Sequence, residues 1–321
     1  MSAFWLEFAR DAMACRFEIL LHPGKPENGG EGALEALDTI TYLEQVLSVY
    51  IASSELCLIN ERALKQAVAV SESTFALLQL GLTIFEKTCG AFDMTAARLS
   101  KAWGFHQRQG KMPTESEIET ALAQVGSQHI ELQEETRSIL FRKPIEVNPG
   151  GIGKGFALDC AASSLRRAGV LDFAFHGGKS SVLCSGSQST NDRDLGWRIA
   201  VRHPEQSERI LGFLTLHDQA LGTSGPANQF FYFRGKRYGH IIDPRTGWPV
   251  AGMLSITVLH PSAGWADALA TGLYVMGIEK AVAFCEQNPD VSMLAILPGD
   301  RDGTCEVVTC NMREGQWSST K

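Results

Sequence analysis

The chain has 321 residues, 44% of them hydrophobic and 20% charged, which is enough apolar content for a full core and excludes wholesale disorder. Its net charge of −7 comes without a basic block, which excludes a nucleic-acid surface built on clustered Lys and Arg. Eight dispersed cysteines include no CxxC pair, so reduced thiols packed in a core are expected rather than a paired-cysteine zinc site or a disulfide framework.

The first residues, MSAFWLEFARDAMACRF, carry neither a positive leader nor a long apolar run, and the apolar stretch near the C-terminus is broken by Asp267. The expectation is a cytoplasmic protein with no membrane span. Arg16 to Leu21 reads as a first strand, followed by a loop with Pro23, Pro26 and Gly29-Gly30. Leu34, Leu37, Ile40, Leu43, Leu47 and Tyr50 recur every three or four residues, one face of an amphipathic helix. Phe75, Leu78, Leu82 and Phe85 predict a second helix, capped by Ser71 or Ser73 and stopped at Gly90. Thr114-Glu115-Ser116-Glu117 is a capping box for a third, with Ile118, Leu122 and Val125 as its face.

Residues 129–141 alternate around a polar turn and predict a hairpin, and Ile145-Glu146-Val147 reads as a short strand. It leads through a glycine loop into a helix to about Arg167, stopped by Gly169. Strands are predicted at residues 172–175, 197–201, 212–216 and 254–259, helices at 265–276 and 279–287, and a last hairpin over 291–309. Between them, residues 222–250 read GTSGPANQFFYFRGKRYGHIIDPRTGWPV, a hairpin turning at Arg234-Gly235-Lys236 and running out into a Pro/Gly turn. Strand pairs outnumber βαβ units, so the fold class is α+β. No repeat or linker marks a boundary; residues 1–321 are read as one domain, with two intimate α+β halves as the alternative.

Four places could carry chemistry. The loop Gly150-Gly151-Ile152-Gly153-Lys154-Gly155 lets a backbone approach a ligand closely at a helix N-terminus, which suits an anion; it is neither a Walker A loop nor GxGxxG, and a plain tight turn remains open. Asp267 and Thr271 lie four apart on one helix face, where a carboxylate and a hydroxyl suit Mg²⁺; a helix cap and a Thr bonded to its own backbone is the other reading of the same pair. Asp93, in Gly90-Ala91-Phe92-Asp93-Met94-Thr95, follows a helix stop and is either a ligand contact or a turn residue. His240 and Asp243 sit where a strand runs into a loop; the imidazole is the natural proton carrier near neutral pH, or a histidine satisfied beside a turn aspartate.

Taken together, TSG…GKRYGHIIDPRTGWPV, ADALATGLYVMG, GGIGKGFALD and GAFDMT resemble the ApbE family, in order and spacing from Met13 to at least Gly277. These are the FAD:protein FMN transferases. The resemblance implies a T-fold-like α+β architecture and Mg²⁺-dependent transfer of FMN from FAD to a Ser or Thr hydroxyl of an acceptor flavoprotein, with AMP released. It implies that Asp267 and Thr271 hold Mg²⁺ with the Gly153 carbonyl, that His240 is catalytic with Asp243 close by, and that FAD touches Met13, Tyr50, Ala91, Phe92, Asp93, Gly150, Lys154, Phe156 and Ile242. Asn148 stands where the family often has Asp, Gly222 and Pro226-Ala227-Asn228 replace more usual residues, and many members are exported lipoproteins whereas this chain shows no signal. Two other outcomes share these residues: an FAD pyrophosphatase that gives FMN and AMP to water, and a flavin-binding carrier without catalysis.

Overall fold

Cys15–Leu21 (β2) alternates buried and exposed side chains and pairs in an antiparallel ladder with Leu6–Ala12 (β1), which the polar sequence around Glu7, Arg10 and Asp11 conceals. The turn between them places Met13 and Ala14 in the left-handed region, at φ of 50° and 57°. The structure, a computed structural model, describes residues 5–23, 28–107, 109–188, 196–226, 229–301 and 303–320; Pro26, Ala227 and Asn228 lie outside the described residues.

The helices Gly29–Leu47 (α1) and Glu72–Lys87 (α3) form at the expected places, but their buried faces differ from the expected stripes. Leu34 is exposed, Tyr50 lies beyond α1, and α3 buries Leu77, Leu78 and Ile84 while Phe75, Leu82 and Phe85 are half-buried. Ser71 caps α3 by accepting from Thr74 N–H. Between them, Glu55–Arg62 (α2), capped by Ser54, and the short strand Val68–Ala69 (β3) have no clear periodic signal. Ala97–Ala102 (α4) and Glu115–Leu122 (α5) follow; the Thr114–Glu117 capping box opens α5 in both directions, with Thr114 N–H donating to Glu117 at 2.7 Å. The expected hairpin is Ile130–Gln133 (β4) and Ser138–Phe141 (β5), with β3 on its other edge.

Ile145-Glu146-Val147 is not a strand. The Asn60 side chain takes the place of a partner strand, accepting from Val147 N–H at 2.8 Å and donating to its carbonyl at 2.9 Å, so the extended backbone is satisfied by an amide side chain. The chain then enters the helix Gly153–Arg167 (α6).

The strands Phe173–Gly177 (β6), Ser181–Ser185 (β7), Trp197–His203 (β8), Gln206–Leu216 (β9), Gln219–Ser224 (β10), Phe230–Phe233 (β11), Lys236–Gly239 (β12) and Ser255–His260 (β13) come next. The chain ends with the helices Ala263–Met276 (α7) and Ile278–Gln287 (α8) and the strands Ser292–Pro298 (β14), Cys305–Cys310 (β15) and Trp317–Ser319 (β16). The main sheet runs β1-β2-β6-β7-β10-β13-β14-β15, antiparallel throughout; β16-β9-β8 and β3-β5-β4 form two smaller sheets, and β11-β12 stands as a separate hairpin.

Both faces of the main sheet are covered. Phe173, Phe175, Leu183, Ala220, Ile256 and Val258 face the helical core with α1, α6 and α7, while Ala174, Val182, Cys184, Leu221 and Leu259 face the apolar side of the β8–β9 sheet. Double coverage makes these strands read as continuous apolar runs rather than alternations, which is why β7 escapes a period-two search. A third cluster joins Leu99 and Trp103 to Ile118, Ala121 and Ile242, and fixes the Pro/Gly turn after β12: Trp103 Nε1 donates to the Gly247 carbonyl at 2.8 Å. Among the described residues no helix is long and apolar enough to cross a membrane.

Candidate active site

The site begins where α6 meets α7. A Cβ on Gly155 would overlap the Ala263 carbonyl, so only glycine lets the two helices come this close. The contact is tied at both ends. Asp159, one turn further along α6, accepts from Ala263 N–H at 2.8 Å, Gly264 N–H at 2.9 Å and Ser262 Oγ at 2.6 Å, capping α7 from outside. In return Gly155 N–H, in the first turn of α6, donates to Asp267 Oδ2 at 2.7 Å. On the third side a Cβ at Gly222 would sit 2.5 Å from Asp267 N, so this glycine lets β10 lie directly under α7.

Gly155→Ala is therefore expected to push the helices apart. Overpacking against backbone costs about 1–3 kcal/mol. Urea denaturation should show that loss, and an unchanged midpoint would mean the helices have room that their geometry denies.

Asp267 is 8% exposed and among the described residues makes no ion pair. Ser181 Oγ donates to its carboxylate at 2.7 Å and 2.9 Å. Burial still pushes its pKa from the ordinary 3.8 up to about 6, against the pull of Lys154, Ser181 and the Gly155 N–H. One turn on, Thr271 Oγ1 bonds Ser224 Oγ at 3.0 Å. A half-satisfied buried carboxylate beside two hydroxyls on a cleft wall fits a hard cation that keeps waters and shares ligands with a phosphate. Among the described residues no group of three or more His, Cys, Asp or Glu is present, so softer, histidine- or thiolate-rich sites are not built here.

His240, directly after β12, lines the same cleft. Its Nδ1 lies 3.2 Å from the Gln229 carbonyl, and since a carbonyl only accepts, Nδ1 carries the proton and Nε2 is left as an acceptor without a hydrogen-bond partner among the described residues. Burial pushes the imidazole pKa below 6.5, with the Gln229 bond pulling the other way, so the ring is neutral near pH 7.

The cleft has a volume of about 680 Å³, a size suited to a small-molecule site. It gathers Ala91, Phe92, Asp93, Gly150, Lys154, His240, Ile242, Asp267 and Thr271. Other expected residues lie elsewhere. Gly153 and Phe156 are buried in α6 and do not line it. Met13 sits in the β1–β2 turn, its N–H donating to Glu44 at 2.6 Å, and Tyr50 is 87% exposed beyond α1; neither lines the cleft. Asp243 is turned into its own loop: Arg245 Nε and Nη2 each donate to it at 2.8 Å, and Pro244 lines the cleft instead. Asp93 lines the cleft with its carboxylate held by Thr95 and by Ser127, whose Oγ donates at 2.6 Å. Asn148, at the departure noted above, accepts from Gly150 N–H at 2.9 Å and shapes the glycine loop without adding charge.

Over residues 13–295 the sequence matches the ApbE family. The chain belongs to that family. It is similar to an FAD:protein FMN transferase of Vibrio cholerae, 32% identical and covering 84% of this chain and 81% of that protein. A protein of the same name from Escherichia coli K12 is 31% identical, covering 74% and 69%. Among solved structures, the ApbE protein of Thermotoga maritima superposes with a TM-score of 0.83 at 27% identity over 94% of this chain and 96% of that one. The flavin transferase ApbE of Vibrio cholerae gives 0.80 at 28% identity over 96% and 97%.

Within this ApbE chain several site residues carry no signal of their own in the sequence. Ser181 is a single hydroxyl on β7 and Gln229 acts through its backbone, whereas Ser224 falls within the TSG segment already noted. Asp159 could have been found, since it lies one helical turn from Gly155 in GGIGKGFALD.

Proposed function

We propose that this chain transfers FMN from FAD to a Ser or Thr hydroxyl of an acceptor flavoprotein, releasing AMP, with Mg²⁺ as the resident cation. The observation that carries the reading is the convergence of His240, Lys154, Asp267 and Thr271 on one cleft. Asp267 and Thr271 would hold the cation, whereas Gly153, the third contributor the resemblance implies, does not line the cleft. Bound there, Mg²⁺ supplies neutralisation of the charge on a diphosphate.

The chain's own groups do the rest. Lys154, which lines the cleft at the start of α6, would face the same charge and orient the diphosphate. His240 Nε2 takes the proton from the acceptor hydroxyl as its oxygen forms a bond to the FMN phosphorus. The bond that breaks is the phosphoanhydride to the AMP phosphate, which leaves with the electron pair, and the His240 proton returns to it or to water. Phe92 and Ile242 offer apolar walls that limit water at the phosphorus. Asp243 acts by position: clamped by Arg245, it holds the turn that follows His240. The whole of residues 1–321 works as one unit in the cytoplasm, on an acceptor in that compartment.

The test is incubation of the purified chain with FAD, Mg²⁺ and candidate flavoprotein subunits, read by mass spectrometry. A gain of one FMN on a Ser or Thr, with one AMP released, is the expected result. Fast AMP release without any acceptor makes the chain an FAD pyrophosphatase, and stable FAD with no AMP makes it a carrier.

A further inference from the structure

Residues 229–239, QFFYFRGKRYG, contain four ring residues before Lys236, three cations and no acid, in a chain whose net charge is −7. The β11–β12 hairpin they form sorts these residues by face. Phe231 and Tyr238 stack at 5.5 Å and turn inward onto Trp103, 6.3 Å and 5.6 Å away. Phe230 and Tyr232 turn outward, 41% and 66% exposed, and meet edge-to-face at 5.7 Å and 86°. Tyr232 pairs across the ladder with Arg237, whose guanidinium lies 4.0 Å over the Phe230 ring and is ion-paired to Glu205. Arg234 and Lys236, at the turn, make no ion pair among the described residues. The hairpin ends one residue before His240, and Phe230 lines the catalytic cleft.

We propose that the outer face of the β11–β12 hairpin is the docking surface for the acceptor protein, and that it takes an extended acidic segment whose carboxylates flank the hydroxyl to be modified. This rests on the transferase reading above. The charge favours such a partner, because among the described residues Arg234 and Lys236 have no ion-pair partner and stand beside exposed aromatic surface. The geometry disfavours the flavin ring as the occupant: Arg237 already covers one face of Phe230, and the perpendicular Tyr232 leaves no flat platform for a planar ring. Tyrosine and arginine side by side are also the residues that most often anchor protein partners. Position completes the case, since a segment seated there delivers its side chain to the rim that holds His240.

The test uses two fluorescein-labelled dodecapeptides, each with one central threonine, one carrying four glutamates and the other four lysines. Binding is read by anisotropy with FAD present. Wild type should bind the glutamate peptide at least tenfold more tightly than the lysine peptide, with affinity falling as salt rises. The variant Tyr232→Ala/Arg234→Glu/Lys236→Glu should lose at least tenfold for the glutamate peptide and keep FAD affinity within twofold. A control with the same charge change on other surfaces, Lys65→Glu/Lys280→Glu, should bind like wild type. Equal binding of the two peptides, an unaffected hairpin variant, or an equal loss in the control overturns the proposal. So does a hairpin variant that loses FAD, which would give the surface to the flavin. Flavin transfer is scored separately by mass: a wild type that binds the glutamate peptide yet moves no flavin contradicts the transferase reading and not the surface.

Discussion

His240→Ala is expected to slow FMN transfer roughly 10²–10⁴-fold, the usual contribution of a general base, while FAD affinity stays near that of wild type. The split follows from where the ring is held. Its Nδ1–H is committed to the Gln229 carbonyl, so on the proposed reading the residue would meet the reacting hydroxyl only through Nε2, and binding of FAD would be left to Lys154 and the apolar walls of Phe92 and Ile242. Burial lowers the imidazole pKa from 6.5, and a base works in its unprotonated form. The rate should therefore rise with pH through a midpoint below 6.5 and be flat by about pH 7.5. His240→Ala should lose this acid limb along with the rate. Transfer by the variant at the wild-type rate, measured by mass gain on the acceptor over time, removes His240 from the chemistry.

The sequence made visible those parts whose physics is local. The capping box at Thr114 and Glu117, the β11–β12 turn and the helix after the glycine loop all depend on neighbours within a few residues. Elements satisfied from afar were hidden. Val147 reads as strand, and its ladder partner is the side chain of Asn60, 87 residues away. β10 ends in Gly222-Thr223-Ser224, a polar run that looks like a loop until α7 is seen to press on Gly222. For the site, motif spacing located Asp267, Thr271, Lys154 and His240, which the fold brings to one cleft. It could not show that Asp243 belongs to Arg245, or that Ser181 and Gly155 hold the Asp267 carboxylate, because those bonds join strands and helices whose order in space the spacing does not encode.

Asp267 should make the metal-free protein less stable as pH rises from about 4 to about 6. Its pKa in the folded chain is raised above the ordinary 3.8, to about 6, so the native state holds this proton where the unfolded chain has lost it. The stabilising contribution is complete below the unfolded value and disappears as pH climbs through the folded one. The gap corresponds to on the order of 3 kcal/mol. The carboxylate is buried, so solvent screening does little to reduce it. Asp267→Asn removes the charge while keeping one oxygen for Gly155 or Ser181. In urea without metal that variant should lie about 1 kcal/mol below wild type near pH 4, one donor having lost its partner, and exceed it by about 2 kcal/mol near pH 7.5. Added Mg²⁺ should reverse the order. On the proposed reading it would stabilise wild type by pairing the buried charge, with the effect fading as pH falls through 6 because the proton competes for the same oxygen, and would leave Asp267→Asn unmoved. Equal Mg²⁺-induced shifts in melting temperature for the two proteins would place the cation elsewhere. A wild type whose metal-free stability does not change between pH 4 and pH 7.5 by more than the variant's would mean that Asp267 is better solvated than its surroundings imply.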